Sequence, residues 1–415
     1  MRITIFTAGT QGDVRPLVAL GLGLTRAGHA VRIATGNGCA ALIEEAGLEF
    51  APLSADFLEI MKRDPSVLRR GRNPLALLPR LRGHFREMTV NWAAEGRAAA
   101  ADADLLIGNG MTAVLAASLS EVLGVPWVET QLQPTSPCPD IPPMALKPPR
   151  RPYPGWVNLT LYRLLRVTTW QMLAPGYSQL RRDLDLPPLP RSGPGFAGQG
   201  RKLLYGFSPT LCPPSPHWPE EEHVAGYWHL DTPGDWCPPP ALQRFLEDGP
   251  PPVYVGFGSM HSVEALKVTA RICDSIRSSG RRAILATGWG GVAAISGPDI
   301  LTVANCPHDW LFPRVALAIH HGGAGTAAAA ARAGIPSVVM PRFGDQPFWA
   351  WCLQQRGVAP PPLEQKAPSV NAVAGAVRQA LTPEMQANAR AVGARMRQEN
   401  GVSHAVAQLC DWGLI

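Results

Sequence analysis

Two segments constrain the fold more than any others. Residues 2–7 are an apolar run that enters the turn Ala8-Gly9-Thr10-Gln11-Gly12. Residues 13–27 follow, with Leu17, Leu20, Leu24 and Ala27 at helical spacing. Gly28 is placed to cap that helix, and residues 30–34 read as the next strand. The second segment starts with the buried-type strand at residues 315–320. It enters His320-His321-Gly322-Gly323-Ala324-Gly325-Thr326 and opens an alanine-rich helix at 326–333. Strand, turn, helix, parallel strand is the repeating unit of a sheet covered by helices.

The same alternation runs through both halves. Residues 40–46 read as a helix and 50–53 as a strand. Residues 58–100 read as interrupted helix, 105–108 as strand, 112–123 as helix and 127–130 as strand. Residues 133–154 are proline-rich and irregular, a long loop of the kind that carries function. A helix is expected over 157–186, and residues 203–207 read as the last strand of the first half. Strands at 253–257, 282–287, 300–303, 315–320 and 337–340 follow, with a helix at 262–278 and mostly helix to the end. With 415 residues, too many for one ordinary core, this predicts two doubly wound α/β domains. The expected division is 1–212, a linker at 213–223, a second domain at 224–395, and a tail at 396–415 that packs back on the first domain. Ligands in such sheets sit beyond the carboxyl ends of the strands, here in a cleft between domains.

Composition excludes more than it selects. The net charge of +6 is spread through a chain with only 17% charged residues, and no nucleic-acid-binding motif uses it. The arginines at 69, 70, 72, 80, 82 and 86 allow a weak peripheral contact with an anionic membrane, although such a run is more often a solvated face. Eight scattered cysteines without C-x-x-C spacing read as reduced thiols in a cytoplasmic protein. No signal peptide and no membrane span is read from the sequence. Neither a metal site nor a cofactor is expected. Asp102-Ala103-Asp104 precedes a strand, at the wrong edge of the sheet for a metal.

The turn from His320 to Thr326 has the chemistry of a phosphate site. Glycines let backbone N–H groups approach closely, the helix end favours negative charge, and a histidine adds a hydrogen bond or a proton. Pro341-Arg342-Phe343-Gly344-Asp345-Gln346-Pro347 follows the next strand on the same sheet edge, and Asp345 and Gln346 suit sugar hydroxyls. A Walker lysine, a G-x-S-x-G elbow and the dinucleotide spacing G-x-G-x-x-G are all lacking at these turns. The carboxylate Asp13 in a glycine turn is the anomaly, since it would repel a phosphate. Asp13 reads either as a plain helix N-cap, with a pKa held low by the helix dipole, or as a base.

Taken together, Gly9-Thr10-Gln11-Gly12-Asp13-Val14, Gly256-Phe257-Gly258-Ser259-Met260, Pro307-His308-Asp309-Trp310-Leu311-Phe312, the His320–Thr326 turn and Phe343-Gly344-Asp345-Gln346-Pro347 resemble the inverting nucleotide-sugar glycosyltransferases of the GT-B fold. The resemblance points to the branch of sterol and antibiotic glycosyltransferases. It implies a UDP- or dTDP-sugar as cosubstrate and a hydrophobic small-molecule acceptor. Asp13 is implied as general base, with His321 catalytic at the diphosphate. Thr10, Gly12, Ser259, Gly322, Gly323, Gly325 and Thr326 are implied around the donor, Asn305 and His308 at the nucleobase, and Asp345 and Gln346 at the sugar. Phe85, Met88, Met144 and Trp156 are candidates for the acceptor wall, though core packing suits most such residues equally. The chain departs from the pattern at Gln11, where relatives often carry Arg. It departs again at Asn305, where plant relatives carry a stacking Trp, and at Ala329, where many carry a ribose-binding Glu. A catalytically silent helper and a nucleotide-sugar epimerase on the same fold remain open as readings, as do monomer and homodimer.

Overall fold

The computed structural model describes residues 1–55, 74–149, 151–194, 201–234, 236–257, 265–288, 292–295, 297–363 and 368–415. The first sheet has seven strands. These are β1 (Arg2–Phe6), β2 (Ala30–Thr35), β3 (Glu49–Pro52), β4 (Leu105–Asn109), β5 (Trp127–Gln131), β6 (Leu203–Tyr205) and β7 (Glu222–Val224). They lie in the order β3-β2-β1-β4-β5-β6-β7, all parallel. Between them run α1 (Gln11–Arg26), α2 (Ala40–Glu45), α3 (Pro74–Thr89), α4 (Trp92–Ala100), α5 (Ala113–Leu123) and the long α6 (Gly155–Asp183). The central strands are continuous apolar runs because helices cover both faces: Ile3, Ile5, Phe6, Leu105, Leu106 and Ile107 are fully buried.

The second sheet has the order β10-β9-β8-β11-β12, also parallel. Its strands are β8 (Val253–Gly256), β9 (Ala283–Ala286), β10 (Ile300–Val303), β11 (Leu317–His320) and β12 (Ser337–Val339). Its helices are α7 (Pro240–Glu247), α8 (Ala265–Ser278), the single turn α9 (His308–Leu311), α10 (Ala324–Ala333), α11 (Gln346–Gln355), α12 (Val370–Ala380), α13 (Pro383–Met396) and α14 (Gly401–Asp411). In each sheet the strand order reverses beside the first strand, between β1 and β4 and between β8 and β11. Both glycine turns, after β1 and after β11, sit at these reversal points, where open α/β sheets leave a crevice.

Two features differ from expectation. Residues 203–207 are not the last strand of the first sheet, because β7 adds a further edge strand from the end of the stretch read as linker and the first residue of the expected second domain. Glu222, His223 and Val224 carry no apolar run to announce it. α7 was also not anticipated among its flanking prolines. The sheets join through an apolar cluster in which Tyr205, Phe207 and Cys212 meet Ala327, Phe348, Trp349 and Cys352.

The chain end returns to its beginning. Ala405 and Leu409 of α14 are fully buried in the core that α1 and β1 build, and Val402 seats directly against Gly23. A methyl at Gly23 would overlap Val402. Overpacking of about 1–3 kcal/mol against a ~1 kcal/mol gain in helix propensity should leave Gly23→Ala destabilised by up to about 2 kcal/mol. Adding Val402→Ala should recover most of that loss. Urea unfolding of the three variants checks this, and a Gly23→Ala protein as stable as the parent contradicts the contact.

Candidate active site

The first turn engages its own carboxylate. Thr10, not Asp13, is the N-cap of α1, and its hydroxyl accepts from Gly12 N at 3.2 Å. Asp13 stands three positions later and reaches back: its Oδ2 accepts from Thr10 N at 2.8 Å and from the Thr10 hydroxyl at 3.1 Å. This is a capping box with aspartate in the usual glutamate position. Gly9 has φ +142°, and a Cβ there would occupy the space of the Asp13 carboxylate. The helix end does not hold the Asp13 pKa low. Burial pushes it up, and the hydrogen bonds from Thr10 only partly offset the loss of water.

The second turn is arranged oppositely. Gly323 is the N-cap of α10 and no side chain caps that end. A ten-residue helix thus presents its first N–H groups and its positive dipole end without a carboxylate nearby in sequence. Gly322 has φ +88°, and its N–H donates to Nδ1 of the fully buried His320 at 3.0 Å. That fixes the turn and leaves Gly323, Ala324, Gly325 and Thr326 as the open edge. His321 lies beside Gly323 with a buried Nδ1 that has no hydrogen-bond partner. Burial pushes His321 down to about 4 and His320 to about 3, so both are neutral at pH 7. His321 is therefore a neutral hydrogen-bond group in the cleft, and an arriving anion would raise its proton affinity.

The loop after β12 closes the site. Asp345 Oδ2 accepts from Trp349 Nε1 at 2.9 Å and from Gln133 Nε2, on the first domain, at 3.4 Å. Burial pushes Asp345 up to about 6 against the Trp349 bond, and the charge of Asp13 adds to the rise. Asp13 and Asp345 are thus electrostatic neighbours across the cleft. Gln346 is buried, and its Oε1 accepts from Arg342 N at 2.8 Å and Phe343 N at 3.3 Å, which fixes the loop that presents Asp345.

Other expected residues are distributed unevenly. His308 is locked beneath the cleft, 3.0 Å from the Tyr254 hydroxyl and stacked 4.3 Å from Phe312. Burial, with help from the charge of Arg15, pushes it down to about 4. Asn305 is exposed just past β10, and Ser259 lies outside the described residues. Ala329 lines a cavity of about 280 Å³ together with His229, Asp309, Arg332 and Arg397. Phe85 and Met88 are core residues rather than an acceptor wall: Phe85 packs edge-on against Tyr177 at 5.0 Å and Trp92 at 6.0 Å. Met144 is partly buried against the cluster between the domains, and Trp156 is 71% exposed on α6. Asp102 pairs with Arg2 and Arg32 at the amino-terminal edge of the sheet, away from the cleft. Among the described residues, His229, Asp231 and Asp309 have the spacing of a metal cluster, but both Asp309 oxygens already accept from Thr232.

Four residues at the cleft carried no motif. Gln133 and Trp349 hold Asp345; Tyr227 lies 3.3 Å from where a Gly325 Cβ would stand. Arg15, exposed on the first turn of α1, makes no ion pair or hydrogen bond among the described residues, yet its charge reaches Tyr227, His229 and His308. The available signal was its position, two residues beyond Asp13 and one helical turn beyond Gln11.

Comparison with known proteins matches this geometry. Residues 3–118 match the glycosyltransferase family 28 N-terminal domain. Residues 286–408 match the erythromycin biosynthesis protein CIII-like C-terminal domain. The chain is 35% identical to an O-mycaminosyltylonolide 6-deoxyallosyltransferase of Streptomyces fradiae, over 99% of this chain and 97% of that protein. It is 32% identical to a sterol 3-beta-glucosyltransferase of Arabidopsis thaliana, covering 98% of this chain but 64% of that protein. The fold is shared with the kitacinnamycin glycotransferase (TM-score 0.71, 18% identity, 98% and 97% covered). It is shared also with the glycosyltransferase VinC in complex with dTDP (TM-score 0.69, 18% identity, 99% of each chain). With a relative this similar matched from end to end, the chain belongs to the GT-B glycosyltransferases that join a family 28 N-terminal domain to an erythromycin CIII-like C-terminal domain.

Proposed function

We propose that this glycosyltransferase moves a sugar from a UDP- or dTDP-sugar to a hydroxyl of a polyketide or similar antibiotic aglycone, with inversion and without a metal. Residues 1–212 would receive the acceptor and 224–395 the donor. The observation that carries the reading is the contrast between two helix ends at one cleft. α10 presents an uncapped, positively polarised end suited to a diphosphate. α1 presents a carboxylate whose pKa burial has raised. The nucleotide already provides a leaving group, so the protein needs one base and a stabiliser for the departing charge. Asp13 takes the acceptor proton. The α10 N–H groups and His321 receive the diphosphate, and Asp345 holds sugar hydroxyls within reach of Asp13. The relative from Streptomyces fradiae favours an antibiotic acceptor. A sterol is the second reading, on the similarity to the Arabidopsis protein. Screening UDP- and dTDP-sugars against polyketide and sterol acceptors, with EDTA present, tests the proposal. Epimerisation without transfer, or a need for added metal, would overturn it.

Asp13→Asn keeps an acceptor oxygen for the Thr10 N–H but removes the base. It should lower kcat by about 10²–10⁴-fold while nucleotide affinity stays near normal. Steady-state rates and calorimetric titration of UDP and dTDP separate the two effects, and full activity in the variant sinks Asp13 as base.

The carboxylate pair sets the pH response. Both pKa values are raised, so kcat/KM should fall as pH drops through about 6, where Asp345 titrates, and the raised pKa of Asp13 acts in the same direction. Asp345→Asn removes a like charge facing Asp13. The residual activity of that variant should keep its acid limb to lower pH than the parent. A limb that stays put, or moves up, contradicts the coupling.

Arg15, which has no ion-pair partner among the described residues, carries a charge that reaches Tyr227, the neighbour of Gly325 at the α10 end. Arg15→Gln should weaken UDP or dTDP binding by roughly tenfold, with Arg15→Lys intermediate. Unchanged affinity in Arg15→Gln would remove it from the donor site.

A further inference from the structure

We propose that the outer face of α6, with α3 beside it, rests on an anionic lipid surface. The inner face of α6 is accounted for: Tyr162, Trp170, Leu173, Tyr177 and Leu180 are buried in the apolar clusters. The opposite face is not. Trp156 is 71% exposed, Leu164 58% and Val167 53%, and Tyr153 just before the helix is 42% exposed. Spacings of 8 and 11 residues from Trp156 bring Leu164 and Val167 to one stripe along the helix. Arg163 and Arg166 are exposed beside it. Single exposed apolar residues are ordinary, but an aligned stripe of this size on one helix marks a contact surface.

Charge identifies the occupant. From Ile141 to Arg182 the chain has no Asp or Glu, and it exposes Lys147, Arg151, Arg163, Arg166 and Arg182, while Arg181 is buried against Glu121 and contributes nothing to this face. α3 lies against α6, with Arg82 donating to the Gln171 carbonyl, and it exposes Arg80, Arg82 and Arg86. Exposed Trp and Tyr, aliphatic side chains and a basic surround with almost no acid are the groups that settle at a headgroup boundary. A protein partner of ordinary mixed surface charge would not need this one-sided balance. The contact thus centres on α6, further along than the arginines at 69–72, which lie outside the described residues. Trp156 belongs to this outer face rather than to an acceptor wall.

The surface does not depend on the reaction proposed above, so its test needs neither donor nor acceptor. The full chain is sedimented with vesicles of phosphatidylcholine alone and of phosphatidylcholine mixed with phosphatidylglycerol. At low salt it should bind the mixed vesicles only, and release as salt screens the charges. Arg163→Glu/Arg166→Glu and Leu164→Glu/Val167→Glu should each reduce binding by at least about tenfold, with thermal melts like the parent because all four residues are exposed. Failure to bind mixed vesicles at low salt, equal binding to both vesicles, or undiminished binding by the variants overturns the proposal. So does a dimer in sedimentation velocity that Leu164→Glu converts to monomer, since the stripe would then belong to a second copy.

Discussion

The cleft depends on where Asp13 finds its hydrogen bonds. By turning back onto Thr10 it occupies the N–H of the N-cap and sets a carboxylate at the amino end of α1, which disfavours an anion there. The corresponding end of α10, capped only by the backbone of Gly323, is left open. Two helix termini of the same kind, at the strand-order reversals of two sheets, therefore acquire opposite electrostatic character. One presents open N–H groups and a positive dipole end, and the other carries a carboxylate. Gly9 permits the arrangement, because any side chain there would push the Asp13 carboxylate out of its box.

Burial then sets the proton inventory. His308, His320 and His321 are driven neutral at pH 7, while Asp13 and Asp345 are driven toward protonation. Each shift has the same cause: the charged form lacks water, and few protein groups replace it. The apolar cluster of Tyr205, Phe207, Phe348 and Trp349 holds the two sheets together, and α14 returns to brace α1. These contacts hold the two helix ends in one cleft. Asp345 illustrates the dependence, since one of its hydrogen bonds comes from Trp349 four residues on and the other from Gln133, 212 residues away.

Legibility followed the range of the interactions. The alternation of buried strands and helices was readable because its periods are local, and so was the glycine turn before α10. β7 was not, because three half-buried residues at a sheet edge need no apolar pattern of their own. Phe85 and Met88 could not be told from a binding wall, since an apolar helix face reads the same whether it meets a core or a ligand. Arg15, Gln133 and Tyr227 belong to no motif, and only the packing of two domains brings them near the α10 turn and Asp345.

The sequence by itself determined the α/β class, the two sheets, the two glycine turns and the identity of the residues at their tips. These follow from side-chain periodicity and from conformations that glycine alone adopts freely. Only the tertiary structure decided that Thr10 caps α1 while Asp13 folds back, that Asp13 lies near Asp345, and which histidines are neutral. Hydrogen-bond partners and desolvation are properties of the surroundings. Here the surroundings are assembled from segments hundreds of residues apart, so no local pattern encodes them.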